Sequence, residues 1–282
     1  MNDLQKWLIR LIKWQLHCMS IVSPRWAAKK ALEIFSTPTR KVKADLSPYF
    51  EKAEKIDFYW QGTPISGFRF NKGGKKKIQI LHGFESSVVK FEHFIAPLLK
   101  EDVEIIAVDA PAHGKSGGKT LNLLQYIQLI HDADIRFGPI DGYIAHSFGG
   151  LALALFLETL PNNAQRKAVL IAPATETTTA INLFFDFLQL SPAVRIEFEQ
   201  QISIRTGKTP EQFSIRRAAG NFQTPLLWVH DQDDLITPIS DVKKVAEAGW
   251  PHIQFKFTEG LGHRKIYRDG EVTQAAVRFL TQ

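Results

Sequence analysis

The chain has 282 residues, 44% of them hydrophobic and 23% charged, with a formal charge of +6 and a single cysteine, Cys18. That length and apolar content make it globular, with enough material for a full core. A lone cysteine excludes an intramolecular disulfide framework and a cysteine-rich zinc site, and it fits a reducing compartment, with the cytoplasm as the default.

The positive charge sits at one end. Residues 1–43 carry nine Lys/Arg against Asp3 and Glu33, a balance of +7, so the rest of the chain carries 6 − 7 = −1. A nucleic-acid-binding body needs a basic face, and this near-neutral body argues against that partner. Lys6, Arg10, Lys13 and His17 break every apolar run long enough to span a bilayer. No apolar stretch followed by a small-residue cleavage site marks a signal peptide. Drawn as a helix, residues 1–20 set Asp3, Lys6, Arg10, Lys13 and His17 on one face and Leu4, Trp7, Leu8, Leu11 and Ile12 mostly on the other. Such a helix either docks on the protein and hides its Trp and Leu residues, or lies on a membrane surface as a weak, reversible anchor. Residues 1–50 are expected to form a basic helical extension ahead of a domain over 51–282.

From residue 56 the pattern alternates. IDFYW (56–60) and ISGFRF (65–70) flank a Gly-Thr-Pro turn and predict an antiparallel hairpin. KKIQIL (76–81), VEIIAVD (103–109), IDGYIAH (140–146), KAVLIA (167–172), PLLWVH (225–230) and IQFKFT (253–258) follow. These are nearly continuous apolar runs, as expected of strands covered on both faces. Helical periodicity fills the gaps around 91–100, 121–137, 149–160, 239–248 and 271–280. The alternation predicts an eight-stranded, mostly parallel sheet with helices on both faces, joined by right-handed crossovers. Residues 173–224 are too long for a simple crossover and are expected to be a helical cap insertion beyond the carboxyl end of a strand, where ligands of open α/β sheets bind.

IAHSFGG (144–150) sets Ser147 between a strand and a helix. Ala145-His146-Ser147-Phe148-Gly149 fits the nucleophile-elbow pattern G-x-S-x-G, with alanine for the first glycine. Gly149 removes a side chain that would collide across the turn, and Gly150 allows close helix–sheet contact. The plainer reading of the same five residues is a helix N-cap serine. A serine nucleophile needs a base, an orienting acid and an oxyanion site. An acidic loop, DQDDLITP (231–238), and a loop carrying a histidine, EGLGH (259–263), follow later strands in the order Ser, Asp, His.

The chain from about residue 56 to its end resembles the α/β-hydrolase superfamily. LHGF (81–84) is similar to the oxyanion His-Gly motif and DAPAHGKS (109–116) to the turn after the next strand. IAHSFGG is similar to the elbow, and VHDQDDLITP with GLGH to the acid and base loops. The resemblance implies a catalytic Ser147, an acid chosen among Asp231, Asp233 and Asp234, and a base, His263. The family's D-x-x-x-P register, ending here on Pro238, selects Asp234, with Asp233 as rival. His252 also follows the acid loop but precedes the last strand, at the wrong end of the sheet, and His82 and His146 are read as shaping their turns. The oxyanion hole would use the backbone N–H groups of Phe84 and Phe148. In the insertion, Phe184 and Phe187 are candidates for an apolar acyl pocket, with structural packing as the alternative for each.

No cofactor or metal is expected. Gly114-Lys115-Ser116 and Gly118-Lys119-Thr120 lack the glycine five residues earlier that a phosphate loop requires, and no dinucleotide fingerprint or metal-ligand cluster is seen. The expected activity is that of a serine esterase or thioesterase acting on a small-molecule acyl ester. Lipid or amide hydrolysis, acyl transfer, and an inactive hydrolase fold used for binding are the alternatives.

Overall fold

A computed structural model of the chain describes residues 3–42, 46–161 and 163–282, leaving out the side chains of Leu4 and Gln5. Eight strands form one sheet: β1 (Glu54–Trp60), β2 (Thr63–Phe70), β3 (Lys76–Leu81), β4 (Val103–Val108), β5 (Gly142–His146), β6 (Lys167–Ile171), β7 (Leu226–Asp231) and β8 (Ile253–Thr258). Their order is β1-β2-β4-β3-β5-β6-β7-β8. β2 runs antiparallel to both neighbours, and every other pairing after it is parallel. This is the α/β-hydrolase fold, with the hairpin at one edge and the crossover order of a wound sheet.

The helices are α1 (Asp3–Val22), α2 (Pro24–Phe35), α3 (Pro48–Glu51), α4 (Glu92–Lys100), α5 (Leu123–Phe137), α6 (Phe148–Leu157), α7 (Thr177–Leu188), α8 (Pro192–Thr206), α9 (Ile215–Ala218), α10 (Ile239–Ala246), α11 (Gly262–Lys265) and α12 (Gly270–Thr281). Every residue of β4, β5 and β7 is buried, which accounts for their nearly continuous apolar sequences. α6 is apolar all round, and Gly149 through Leu157 are all buried. A helix without a polar face has to sit inside the protein. α5 opens with a reciprocal cap in which Asn122 accepts from the Gln125 N–H and Gln125 accepts from the Asn122 N–H.

The chain forms two compact units. The larger comprises Pro38–Thr175 and Ser214–Gln282, and holds the sheet. The smaller joins the segment ending at Thr37 to Glu176–Phe213. Within the smaller unit α1 packs on α2 and α2 on α8. Ala27, Ala28 and Ala31 on the buried side of α2 allow a close approach, and Leu16, Leu32, Ile181, Val194 and Phe198 complete the core. The Gln201 side chain donates to the Arg25 carbonyl at 3.2 Å.

In α1 the structure divides the apolar residues differently from the sequence expectation. Leu16 is buried, and Ile12 and Met19 pack against the same core. Trp7, Leu8, Leu11 and Trp14 remain exposed, Trp7 at 57% and Trp14 at 65%. At 100° per residue Ile12, Leu16 and Met19 share one side, and Trp7, Leu11 and Trp14 share the opposite one. The helix is apolar on two faces. The side chain of Leu4, assigned to the apolar face from sequence, lies outside the described residues.

Candidate active site

Ser147 ends β5 and precedes α6 with φ 54° and ψ −121°, a left-handed backbone that a non-glycine residue adopts only under strain. Close approach explains the glycines around it. A Cβ on Gly149 would lie 2.6 Å from the His82 carbonyl oxygen, and one on Gly150 would lie 2.6 Å from Pro173 Cβ. A Cβ on Gly83 would lie 2.9 Å from Ser147 Cβ, so the loop after β3 presses directly on the serine.

Three side chains from separate loops meet here. His263 Nε2 is 3.0 Å from Ser147 Oγ, and His263 Nδ1 is 2.8 Å from Asp234 Oδ2. A carboxylate can only accept, so Nδ1 carries the ring proton and the bare Nε2 accepts from the serine hydroxyl. Asp234 Oδ1 accepts from the N–H groups of Ile236 and Thr237 at 2.8 and 2.9 Å, and Thr237 Oγ1 donates to Oδ2 at 2.8 Å. Burial alone would push this carboxyl up. The hydrogen bond and charge of His263, with the Thr237 bonds, outweigh burial and hold it at about 2.

The other two aspartates grip the loop that carries His263. Asp231 Oδ2 accepts from Thr258 Oγ1 at 2.7 Å and from the Leu261 N–H at 3.1 Å. Asp233 Oδ2 accepts from the Gly260 N–H at 2.9 Å. A third hold comes from His146, whose Nε2 lies 3.0 Å from the His263 carbonyl oxygen.

Phe84 and Phe148 bring their backbones beside the serine, their rings edge to face at 5.8 Å. Among the described residues neither N–H donates to a protein acceptor. The Phe84 loop is braced from behind. The Ala110 N–H donates to His82 Nε2 at 2.9 Å, and His82 Nδ1 therefore donates to the Gly83 carbonyl at 2.8 Å. The Glu85 N–H donates to His113 Nε2 at 3.0 Å, and Asp109 Oδ1 accepts from Ser87 Oγ and the Val88 N–H. Burial keeps His82 and His113 neutral, lowering His113 to about 3. Both bonds into Nε2 require that neutral form.

A cavity of about 680 Å³ opens onto Ser147 and His263, with Phe84, Ile236 and Tyr267 among its walls. Its lining comes from the larger unit. Of the two phenylalanines proposed from sequence for an acyl pocket, neither is in this lining. Phe184 packs edge to face on Phe35 at 5.0 Å within the smaller unit. Phe187 is exposed, with Lys13 Nζ 5.3 Å from its ring centroid. Sequence reasoning passed over Thr237, though a threonine three residues after an aspartate is a recurrent side-chain-to-backbone motif. It also passed over the bond from His146 to His263, for which no local signal exists. Among the described residues no group of His, Cys, Asp or Glu could hold a metal, and no helix is long and apolar enough to cross a membrane.

A family model described as serine aminopeptidase, S33, matches residues 73–214. No curated protein matches the chain in sequence. Solved structures with the same fold include an esterase from Pyrococcus furiosus, Pf2001, at 21% identity and a TM-score of 0.64, covering 86% of this chain and 95% of that one. A monoacylglycerol lipase from Paleococcus ferrophilus is 20% identical with a TM-score of 0.58, covering 81% and 98%. Est1E from Butyrivibrio proteoclasticus, solved with ferulic acid bound, is 17% identical with a TM-score of 0.63, covering 80% and 97%. At these identities the likeness is one of fold.

Proposed function

The chain belongs to the serine aminopeptidase S33 family of the α/β-hydrolases, and on that premise we propose that it cleaves a carboxylic ester or thioester through an acyl-Ser147 intermediate. The observation that carries this reading is the unbroken chain Asp234–His263–Ser147, at 2.8 and 3.0 Å, ending on a hydroxyl that faces a cavity. Ser147 Oγ attacks the acyl carbon as its proton passes to His263 Nε2. The carbonyl oxygen becomes an oxyanion, which the N–H groups of Phe84 and Phe148 stabilise; one such donor is worth about a hundredfold or more in rate. On collapse the bond to the leaving oxygen or sulfur breaks and His263 returns the proton to it. Water, deprotonated by the same Nε2, then cleaves the acyl-serine. Asp234 keeps the imidazole in the required tautomer and stabilises its charged form.

Ester rather than amide chemistry is supported by the esterases and lipase that share this fold. A non-catalytic binding protein would need neither the strained backbone of Ser147 nor a fully wired Asp234. The single cysteine supports a reducing, cytoplasmic setting.

Intact-mass labelling with a serine-directed fluorophosphonate tests the assignment. The wild-type chain should gain one phosphonyl group and turn over an activated short-chain ester. Ser147→Ala should gain none and lose several orders of magnitude in turnover. Equal labelling of the variant would remove Ser147 from the mechanism.

For the smaller unit we propose reversible contact with an anionic lipid surface. Trp7, Leu11 and Trp14 are exposed on the side of α1 opposite its buried face, and Lys6 and Arg10 are exposed beside them. Exposed indole rings next to basic residues make up the composition of an interfacial helix.

A further inference from the structure

The cavity at Ser147 has an unbalanced charge. Arg40, Lys41, Lys90, Arg264 and Arg268 line it, against one acid, Glu85. Among the described residues none of the five cations makes an ion pair. They converge on one opening from three separate stretches of the chain. Gathering like charges around one opening is unfavourable by itself, and a bound anion offsets it.

Contacts orient two of these side chains, Lys41 and Arg268, and tie down the segment that bears Arg40. Glu85 accepts from the Thr39 N–H and from Thr39 Oγ1, which ties the segment bearing Arg40 and Lys41 to the loop of Phe84. Lys41 Nζ donates to the Ser116 carbonyl at 2.6 Å, a neutral partner that leaves its charge uncancelled. Arg268 lies 5.3 Å over the ring of buried Tyr267 and donates to its hydroxyl at 3.3 Å. Tyr267 in turn stacks on Phe91 at 5.2 Å. Arginines gathered at one opening suit an anion with several oxygens, which each guanidinium can meet with two N–H groups.

We infer that the ester or thioester cleaved here carries a phosphate group, which the cations around the mouth hold while the acyl carbon sits at Ser147. The inference rests on the acyl-serine reading and adds the substrate class. A phosphate could come from a glycerophosphate headgroup or from the nucleotide end of an acyl thioester, and the same cations would meet either.

The test uses the full chain and esters of one acyl length. Phosphate-bearing substrates, a 1-acylglycerol 3-phosphate and a nucleotide-linked acyl thioester, are compared with a neutral monoacylglycerol and a neutral acyl thioester. The kcat/KM ratio of phosphate-bearing to neutral substrate should be about tenfold or more in one pair, which identifies the source, and should shrink as salt is raised. The double variant Arg264→Gln/Arg268→Gln should lower that ratio about tenfold, and Arg40→Gln, in a different segment, should lower it too. Pyrophosphate alone should bind the wild-type chain in calorimetry and bind the double variant more weakly. A wild-type ratio near one in both pairs, or a ratio indifferent to all three substitutions, overturns the inference. If no ester is turned over and Ser147 takes no fluorophosphonate, the acyl-serine reading fails, and pyrophosphate binding lost in the variants still upholds the anion site. If neutral esters are cleaved and pyrophosphate does not bind, this inference alone falls.

Discussion

His146, the residue before Ser147, holds the backbone of the histidine that meets that serine: its Nε2 lies 3.0 Å from the carbonyl oxygen of His263. An oxygen acceptor there requires a proton on Nε2, and in the neutral ring Nδ1 is then bare. Burial, then the neighbouring His263, lowers its pKa to about 3, so that form persists across the working pH range. The two imidazoles are 4.7 Å apart, centroid to centroid.

His146→Ala should therefore lower kcat about tenfold with little change in KM, the loss expected when one hydrogen bond that orients the base is removed. The rate of fluorophosphonate labelling should fall in parallel. Wild-type kcat and labelling rate in the variant would mean that this bond does not orient His263.

The three aspartates of the 231–234 loop should separate by what each holds. Asp234→Asn replaces an acceptor at His263 Nδ1 with an amide that favours the wrong tautomer, and kcat should drop about 10³- to 10⁴-fold. Asp231→Asn leaves a buried loop anchor uncharged and should cost about 1–3 kcal/mol of stability, with a smaller loss of rate. Asp233 is exposed, and its amide can still accept from Gly260, so Asp233→Asn should stay within about 0.5 kcal/mol of wild type. Urea unfolding and kcat measured side by side check the order. Asp233→Asn as the most damaging change would move the acid to Asp233.

Stability should fall as pH drops below 6.5. Burial, then the neighbouring His82 and Lys41, lowers His113 from 6.5 to about 3, against the raising effect of the Pro111 carbonyl. Between those values the unfolded chain binds a proton that the folded chain does not. The contribution is thus complete above pH 6.5 and is lost progressively toward pH 3. In His113→Gln, whose amide oxygen can still accept from the Glu85 N–H, the slope of unfolding free energy between pH 6 and 4 should fall by about one proton, about 1.4 kcal/mol per pH unit. Chemical denaturation across that range reads the slope, and an unchanged slope would mean that His113 titrates freely in the fold.

The exposed face of α1 should bind anionic but not neutral vesicles, and added salt should release it, since Lys6 and Arg10 contribute about 1 kcal/mol each at such a surface. Trp7→Ala/Trp14→Ala should reduce co-sedimentation while leaving turnover of a soluble ester intact. Both rings are exposed, so the variant keeps the core built on Leu16. Equal sedimentation of variant and wild type would mean that this face does not meet the lipid.

The sequence by itself determined the strands and the helices between them. Burial on both faces writes an apolar run such as VEIIAVD, and a bend as tight as the one at Ser147 leaves glycines at 149 and 150. Such signals are local, and the order of the serine, the aspartates and the histidine along the chain is visible in the same way. Only the tertiary structure decided which groups the side chains meet. The basic residues at 40 and 41 read as part of an N-terminal charge cluster until Thr39 and Glu85 bring them to the cavity. Residues up to Thr37 share a core with Glu176–Phe213, a pairing no periodicity encodes, because a helix that is apolar on two sides does not specify which side will be buried. Asp231, Asp233 and Asp234 are chemically alike in sequence. Their different roles arise because β7 and β8 lie side by side, and each carboxylate meets a different donor across that non-local contact.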